Sequence, residues 1–236
     1  MKLLRKSGFS LVEIAIALVV VALLVAGSKG LVSGQLDHYK TQTTNNKLRA
    51  IEEAIVLHKE KSDLLPCPAF FSAPATDKGE AASGGCDVDP TRNSICTGNA
   101  LHCSGNVVIG LVPYSTLGMS RADTVDGWGN RIIYAVDKKF TTDFATKAGD
   151  ITLVDIEDNV VANSDTMGGV VFVLFSHGKN GAGAYKGDMI FDEKCARSMK
   201  DYENCNRDAT FRVTLNNKHL EDFDDIVIWR TKSSLQ

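Results

Sequence analysis

The sequence lacks any strong excess of one charge: 26 Lys and Arg stand against 29 Asp and Glu, a formal net charge of −3 over 236 residues. Nothing global therefore attracts a polyanion such as nucleic acid. None of the six cysteines, Cys67, Cys86, Cys96, Cys103, Cys195 and Cys205, forms a CxxC pair, which argues against a zinc ribbon or a thioredoxin-like centre. There is no GxSxG elbow, no HExxH pair and no GxxxxGK[ST] loop, so the usual hydrolase, zinc-protease and phosphate-binding signatures are missing. Ser176-His177 and the glycine run from Gly178 to Gly183 then read as turn residues, and the chain reads as having no catalytic activity.

What is present is concentrated at the N-terminus. Lys2, Arg5 and Lys6 come first without an acid, and Phe9 to Gly27 follows as 19 positions with the single charge Glu13. A helix of that length covers a hydrocarbon core of about 30 Å. Basic residues stay on the cytoplasmic side, which sends everything after residue 27 across the membrane. An ordinary secretory signal peptide competes, but Glu13 argues against it, because an acidic side chain at the centre of such a span costs roughly 2.5–3.5 kcal/mol and is by default functional.

Beyond the span, Leu48, Ile51 and Ile55 recur at helical spacing among polar neighbours, so residues 28–63 read as the amphipathic continuation of the same helix. Gly27, Gly30 and Gly34 mark a place to bend, or small-residue positions for close helix packing. Pro66 and Pro68 end the helix. Residues 64–105 read as a loop insert with Cys67, Cys86, Cys96 and Cys103. An even number of cysteines in an exported domain implies a disulfide framework. Cys195 and Cys205 are expected to pair by proximity, the other four among themselves.

Apolar runs at Val107–Val112, Arg131–Val136, Ile151–Ile156, Val170–Phe175, Phe211–Leu215 and Ile226–Trp229 read as strands between Gly, Asn and Asp clusters. Residues 106–236 would form an antiparallel sheet against the long helix, an α+β fold. The run Val170–Phe175, apolar on both faces, is the candidate central strand. Asp126-Gly127-Trp128-Gly129 reads as a turn entering a strand, with Trp128 as a packing anchor.

Gly8-Phe9-Ser10-Leu11-Val12-Glu13, preceded by Arg5-Lys6-Ser7, resembles the cleavage and methylation signal of type IV pilins and type II secretion pseudopilins. The resemblance implies that residues 1–8 are a leader removed after Gly8 by a prepilin peptidase, that Phe9 becomes the N-methylated terminus, and that Glu13 is the acid within the assembly helix. Loss of Lys2, Arg5 and Lys6 would leave 23 basic against 29 acidic side chains, near −6. A carboxylate in an apolar fibre core is costly alone and much less so beside a neighbouring subunit's amine. Leu65–Ala69, Gly110–Gly118 and Asp126–Tyr134 are similar to a subgroup of prepilin-type proteins, and Ser176–Gly181 and Asp224–Trp229 to loops of major pseudopilins.

The resemblance implies a pilin-like fold and a structural subunit of a pilus or pseudopilus. Its partners would be other pilin or pseudopilin subunits, the peptidase, the inner-membrane assembly machinery and, before assembly, the lipid bilayer. The chain would sit in the inner membrane with a periplasmic domain before joining the fibre. The Cys-rich insert and the 228 residues after Gly8 favour a minor subunit. The alternative is a periplasmic enzyme or binding protein tethered by an uncut helix. No cofactor is expected except calcium, for which Asp222, Asp224 and Asp225 are candidate ligands through the resemblance. Without an EF-hand pattern or a dense acidic loop, a solvated charge run is the favoured reading of those three.

Overall fold

The computed structural model describes residues 10–71, 77–82, 86, 101–145, 148–186, 195–196, 198–214 and 223–236, leaving aside the side chains of 24–33. The chain divides into two units, Met1–Tyr39 and Lys40–Gln236. A single helix, α1, runs from Leu11 to Ser62, and its backbone stays helical through Gly27, Gly30 and Gly34. Its start is set by Ser10, whose Oγ accepts the Val12 N–H at 3.3 Å, as an N-cap does. It stops where Asp63 takes a left-handed φ of 59°, one residue type that tolerates this conformation.

In the first unit the helix leaves its apolar side chains in the open: Leu11 is 86% exposed, Leu18 65% and Leu23 68%, with Ile14, Ile16 and Val19 to Val21 similarly bare. Among the described residues, no helix is long and apolar enough to cross a membrane. The expected span from Phe9 to Gly27 includes Phe9 and the side chains of 24–27, which lie outside the described residues.

In the second unit, strands β1 (His102–Ser104), β2 (Val107–Leu111), β3 (Ile133–Asp137), β4 (Thr152–Val154), β5 (Val160–Ala162), β6 (Val170–Ser176), β7 (Thr210–Arg212) and β8 (Ile226–Thr231) make two sheets, and α2 is one short turn at Tyr202–Cys205. The larger sheet has the order β1-β2-β3-β6-β8 and is antiparallel throughout. A smaller sheet, β5-β4-β7, contains a parallel β4–β7 pair, so one antiparallel sheet is not the whole β structure. The candidate central strand β6 is interior, between β3 and β8, but β3 holds the middle position. β1 lies inside the range read as loop insert.

Alternation along the strands divides the core in two, as the period-2 geometry of a strand requires. Val108, Tyr134, Val136, Phe172 and Leu174 face Leu48, Ile51 and Ile55 of α1. Ile109, Ile133, Ala135, Val173 and Phe175 face Leu153, Phe211 and Val213. β6 is fully buried because both its faces are covered, which is why its sequence is apolar without alternation.

Candidate functional site

Two regions carry chemistry. At the N-terminus, Gly8 and Phe9 lie outside the described residues. Glu13 sits in the first turn of α1, its N–H donating to the Ser10 carbonyl at 3.0 Å. The spacing Ser10-x-x-Glu13 is that of a capping box, and a carboxylate there is favoured by the positive end of the helix dipole. That placement at the helix start is compatible with a role in assembly.

The other region joins three segments far apart in sequence. One is the turn after β6, which carries Asn180. The next is the loop closed by the Cys195–Cys205 disulfide, whose ten-residue separation and 6.0 Å Cα distance are ordinary for a bridge. The third is the approach to β8, which carries Asp224 and Asp225. Asp201, Asp224 and Asp225 bring one carboxylate oxygen each to within 4.8 Å of one another. Asp201 is fully buried and Asp225 is 5% exposed.

Neutral amides hold the cluster together. Asn180 donates from Nδ2 to Asp201 Oδ2 at 2.6 Å and from its backbone N to Asp224 Oδ2 at 2.8 Å. Asn204 donates to Asp225 Oδ2 at 2.7 Å and accepts from the Arg212 N–H, also at 2.7 Å. Among the described residues, the second oxygens of Asp201 and Asp225 are buried without a hydrogen-bond partner. Burial pushes both carboxyls up. At Asp225 the Asp201 charge adds to the rise and Asn204 opposes it. At Asp201 the Asn180 amide opposes burial, while the Asp224 charge supports it.

Buried carboxylate oxygens without donors require an explanation, and a cation is one. An all-oxygen set of negative ligands suits a hard divalent ion such as calcium and does not suit zinc or copper. The sequence reading named Asp224 and Asp225. It missed Asp201, whose only local signal is its position inside the short cystine loop, and it included Asp222, which lies outside the described residues.

The remaining candidates resolve into structure. The Ser176 hydroxyl donates to Asp126 Oδ2 at 2.6 Å and accepts the Gly178 N–H, so it is tied to a buried carboxylate. Asp126 also accepts the N–H groups of Trp128 and Asn130, each at 2.8 Å, which is the turn expected there, with Trp128 half-buried. His177 is 2% exposed; burial first and the Arg207 charge second lower its pKa to about 3. It lines a cavity of about 20 Å³ with His102, Tyr185 and Arg207, room for roughly one water. At Gly178, with φ +57°, a Cβ would run into the Asp224 backbone carbonyl, so glycine there lets the turn press against the acidic cluster.

Cys67 and Cys86 are also bridged, 19 residues apart with a 5.6 Å Cα distance. Cys103 is disulfide-bonded as well, and Cys96 lies outside the described residues.

No curated protein and no solved structure matches this chain. Residues 3–28, however, match the family model of the prokaryotic N-terminal methylation motif, the stretch that holds Gly8, Phe9, Glu13 and the exposed apolar start of α1, and the chain thus carries the N-terminal signal of type IV pilin and pseudopilin precursors.

Proposed function

We propose that the protein is a structural subunit of a type IV pilus or a type II secretion pseudopilus, cut after Gly8 by a prepilin peptidase and N-methylated at Phe9. The observation that carries this reading is the match of residues 3–28 to the methylation motif. The apolar residues left bare along Leu11 to Leu23 support it, since an exposed apolar surface of that extent calls for a lipid or protein partner. In this reading the helix rests in the inner membrane before assembly, with the rest of the chain in the periplasm, and packs against the helices of other subunits afterwards. Glu13 pairs with the Phe9 amine of a neighbour and sets axial register. The protein acts through polymerisation rather than catalysis.

The cluster of Asp201, Asp224 and Asp225 takes calcium in this reading, as a structural ion that holds the last strand to the cystine loop. Its support is the pair of buried carboxylate oxygens that have no donor among the described residues.

The test is intact mass analysis of the cellular protein. A terminus at methyl-Phe9 is expected, together with accumulation of full-length precursor in a Gly8→Trp variant. An uncut chain in wild-type cells would instead favour a tethered periplasmic enzyme or binding protein.

A further inference from the structure

The cystine loop and the acidic cluster share residues. Asp201 lies inside the loop closed by Cys195 and Cys205, four residues from the second cysteine. Asn204, next to Cys205, holds Asp225. The loop is anchored besides by Lys200, whose carbonyl accepts from Arg212 Nη1 at 2.7 Å. On the opposite side, Gly183 has φ +78° and a Cβ there would collide with Cys205. The turn that carries Asn180 therefore lies directly on the disulfide. Three carboxylates drawn this close repel one another, and at Asp201 the repulsion is opposed by the Asn180 amide, the Arg212 charge and the covalent bridge that closes its loop.

We propose that cation binding at Asp201, Asp224 and Asp225 and the Cys195–Cys205 disulfide are energetically coupled, so that the bridge preorganises the site and the bound cation protects the bridge from reduction. The inference rests on the calcium reading above. With the bridge intact, Asp201 is held in place and the cation does not have to order the loop as it binds. With the bridge open, the same charge repulsion moves Asp201 outward, and part of the cation's binding free energy goes into recovering it. Linkage makes the effect reciprocal: whatever factor the bridge adds to cation affinity, the cation adds to the bridge's resistance to reduction.

The redox step balances. A dithiol reductant supplies two electrons and two protons, the Cys195–Cys205 bond breaks to two thiols, and the reductant closes to its own disulfide. Cys67–Cys86 contributes no ligand to the cluster, so the coupling does not extend to it.

The experiment uses the full-length chain in detergent. Wild type is titrated with dithiothreitol in calcium and in a chelator, and the thiols are trapped and assigned by peptide mapping. Calcium is expected to move the reduction midpoint of Cys195–Cys205 toward more reductant by about tenfold or more, while Cys67–Cys86 does not move. In parallel, calorimetry compares calcium binding to oxidised wild type and to the C195S/C205S variant, which is expected to bind about tenfold more weakly. Because the first measurement uses wild type alone, it stands even if the double variant folds poorly. Calcium binding to oxidised protein with an unmoved reduction midpoint overturns the coupling. Absence of calcium binding to oxidised protein overturns the metal reading and the coupling with it.

Discussion

The side-chain amide of Asn204 donates a 2.7 Å hydrogen bond to Oδ2 of Asp225, across 21 residues of sequence and in a buried setting. The same amide donates to the Arg212 carbonyl and its oxygen accepts the Arg212 N–H, so one residue ties α2, β7 and the start of β8 together. Replacing it with leucine leaves a buried carboxylate and two backbone groups without partners. Loss of roughly 2–3 kcal/mol in urea unfolding is expected for Asn204→Leu. A loss below about 1 kcal/mol would mean that water replaces the amide without penalty.

A second long-range tie holds the segment that contains Gly79. Arg131 is completely buried, and its Nη1 donates to Asp77 Oδ2 at 2.7 Å, with Arg121 3.2 Å from the same oxygen. Among the described residues, Nε and Nη2 of Arg131 have no partner, and its charge there rests on Asp77 and on the Tyr114 ring, 5.9 Å away. Removing one member of a buried pair typically costs about 3–5 kcal/mol, whereas replacing both with apolar groups is near neutral. Asp77→Ala is therefore expected to melt far earlier than wild type, and Asp77→Ala with Arg131→Met to recover much of the loss. If the double variant is no better than the single one, the stranded charge is not the cause.

These ties mark what the sequence could and could not disclose. The interior strand β6 was legible because burial on both faces demands six consecutive apolar residues from Val170 to Phe175. The packing face of α1 was legible at Leu48, Ile51 and Ile55 for the same reason, each being fully buried. β1 and β5 were not, because three residues such as His102-Cys103-Ser104 carry no period of their own and become strands only by pairing with a neighbour. The parallel β4–β7 pair joins segments about 58 residues apart in register, and no local pattern specifies such a partner. Likewise Asp224 and Asp225 were conspicuous as adjacent acids, while Asp201 became a candidate only once the turns after β6 and before β8 met. The N-terminal signal was readable outright, since a cleavage and methylation signal is recognised as a linear segment.

The pH dependence of stability contains opposing contributions. Burial, with Arg207 as the lesser cause, lowers His102 to about 4 and His177 to about 3. An unfolded histidine takes up its proton near 6.5, so this stability is present above about pH 6.5 and is lost as pH falls toward those values. Asp201 and Asp225 are raised, so in metal-free protein they act oppositely: the folded chain binds their protons first, and stability gained below the unfolded value is lost as pH rises through the raised pKa. Calcium needs both groups ionised and competes with those protons. The increase in melting temperature caused by calcium is therefore expected to be large at neutral pH and to shrink on acidification, already above the ordinary carboxylate range near pH 4. An increase that stays constant down to about pH 4.5 would remove the buried carboxylates from the calcium site.

The last prediction concerns Glu13, at the first turn of α1 among exposed Leu11, Val12, Ile14 and Ile16. Glu13→Val removes the charge from an apolar stretch, which makes membrane insertion easier, and leaves Gly8 and Phe9 untouched, so precursor level and cleavage are expected to be those of wild type. Loss of the first-turn carboxylate costs the helix only about 0.3–1 kcal/mol, too little to unfold a helix of 52 residues. In a fibre the balance differs, because the neighbour's Phe9 amine would then be buried without a counter-charge, at a cost of several kcal/mol per subunit. The ratio of fibre-associated to membrane-associated protein should thus fall steeply in Glu13→Val and recover in Glu13→Asp if the shorter side chain still reaches. An unchanged ratio in the valine variant would leave Glu13 only as a first-turn charge favoured by the helix dipole and remove the proposed register contact.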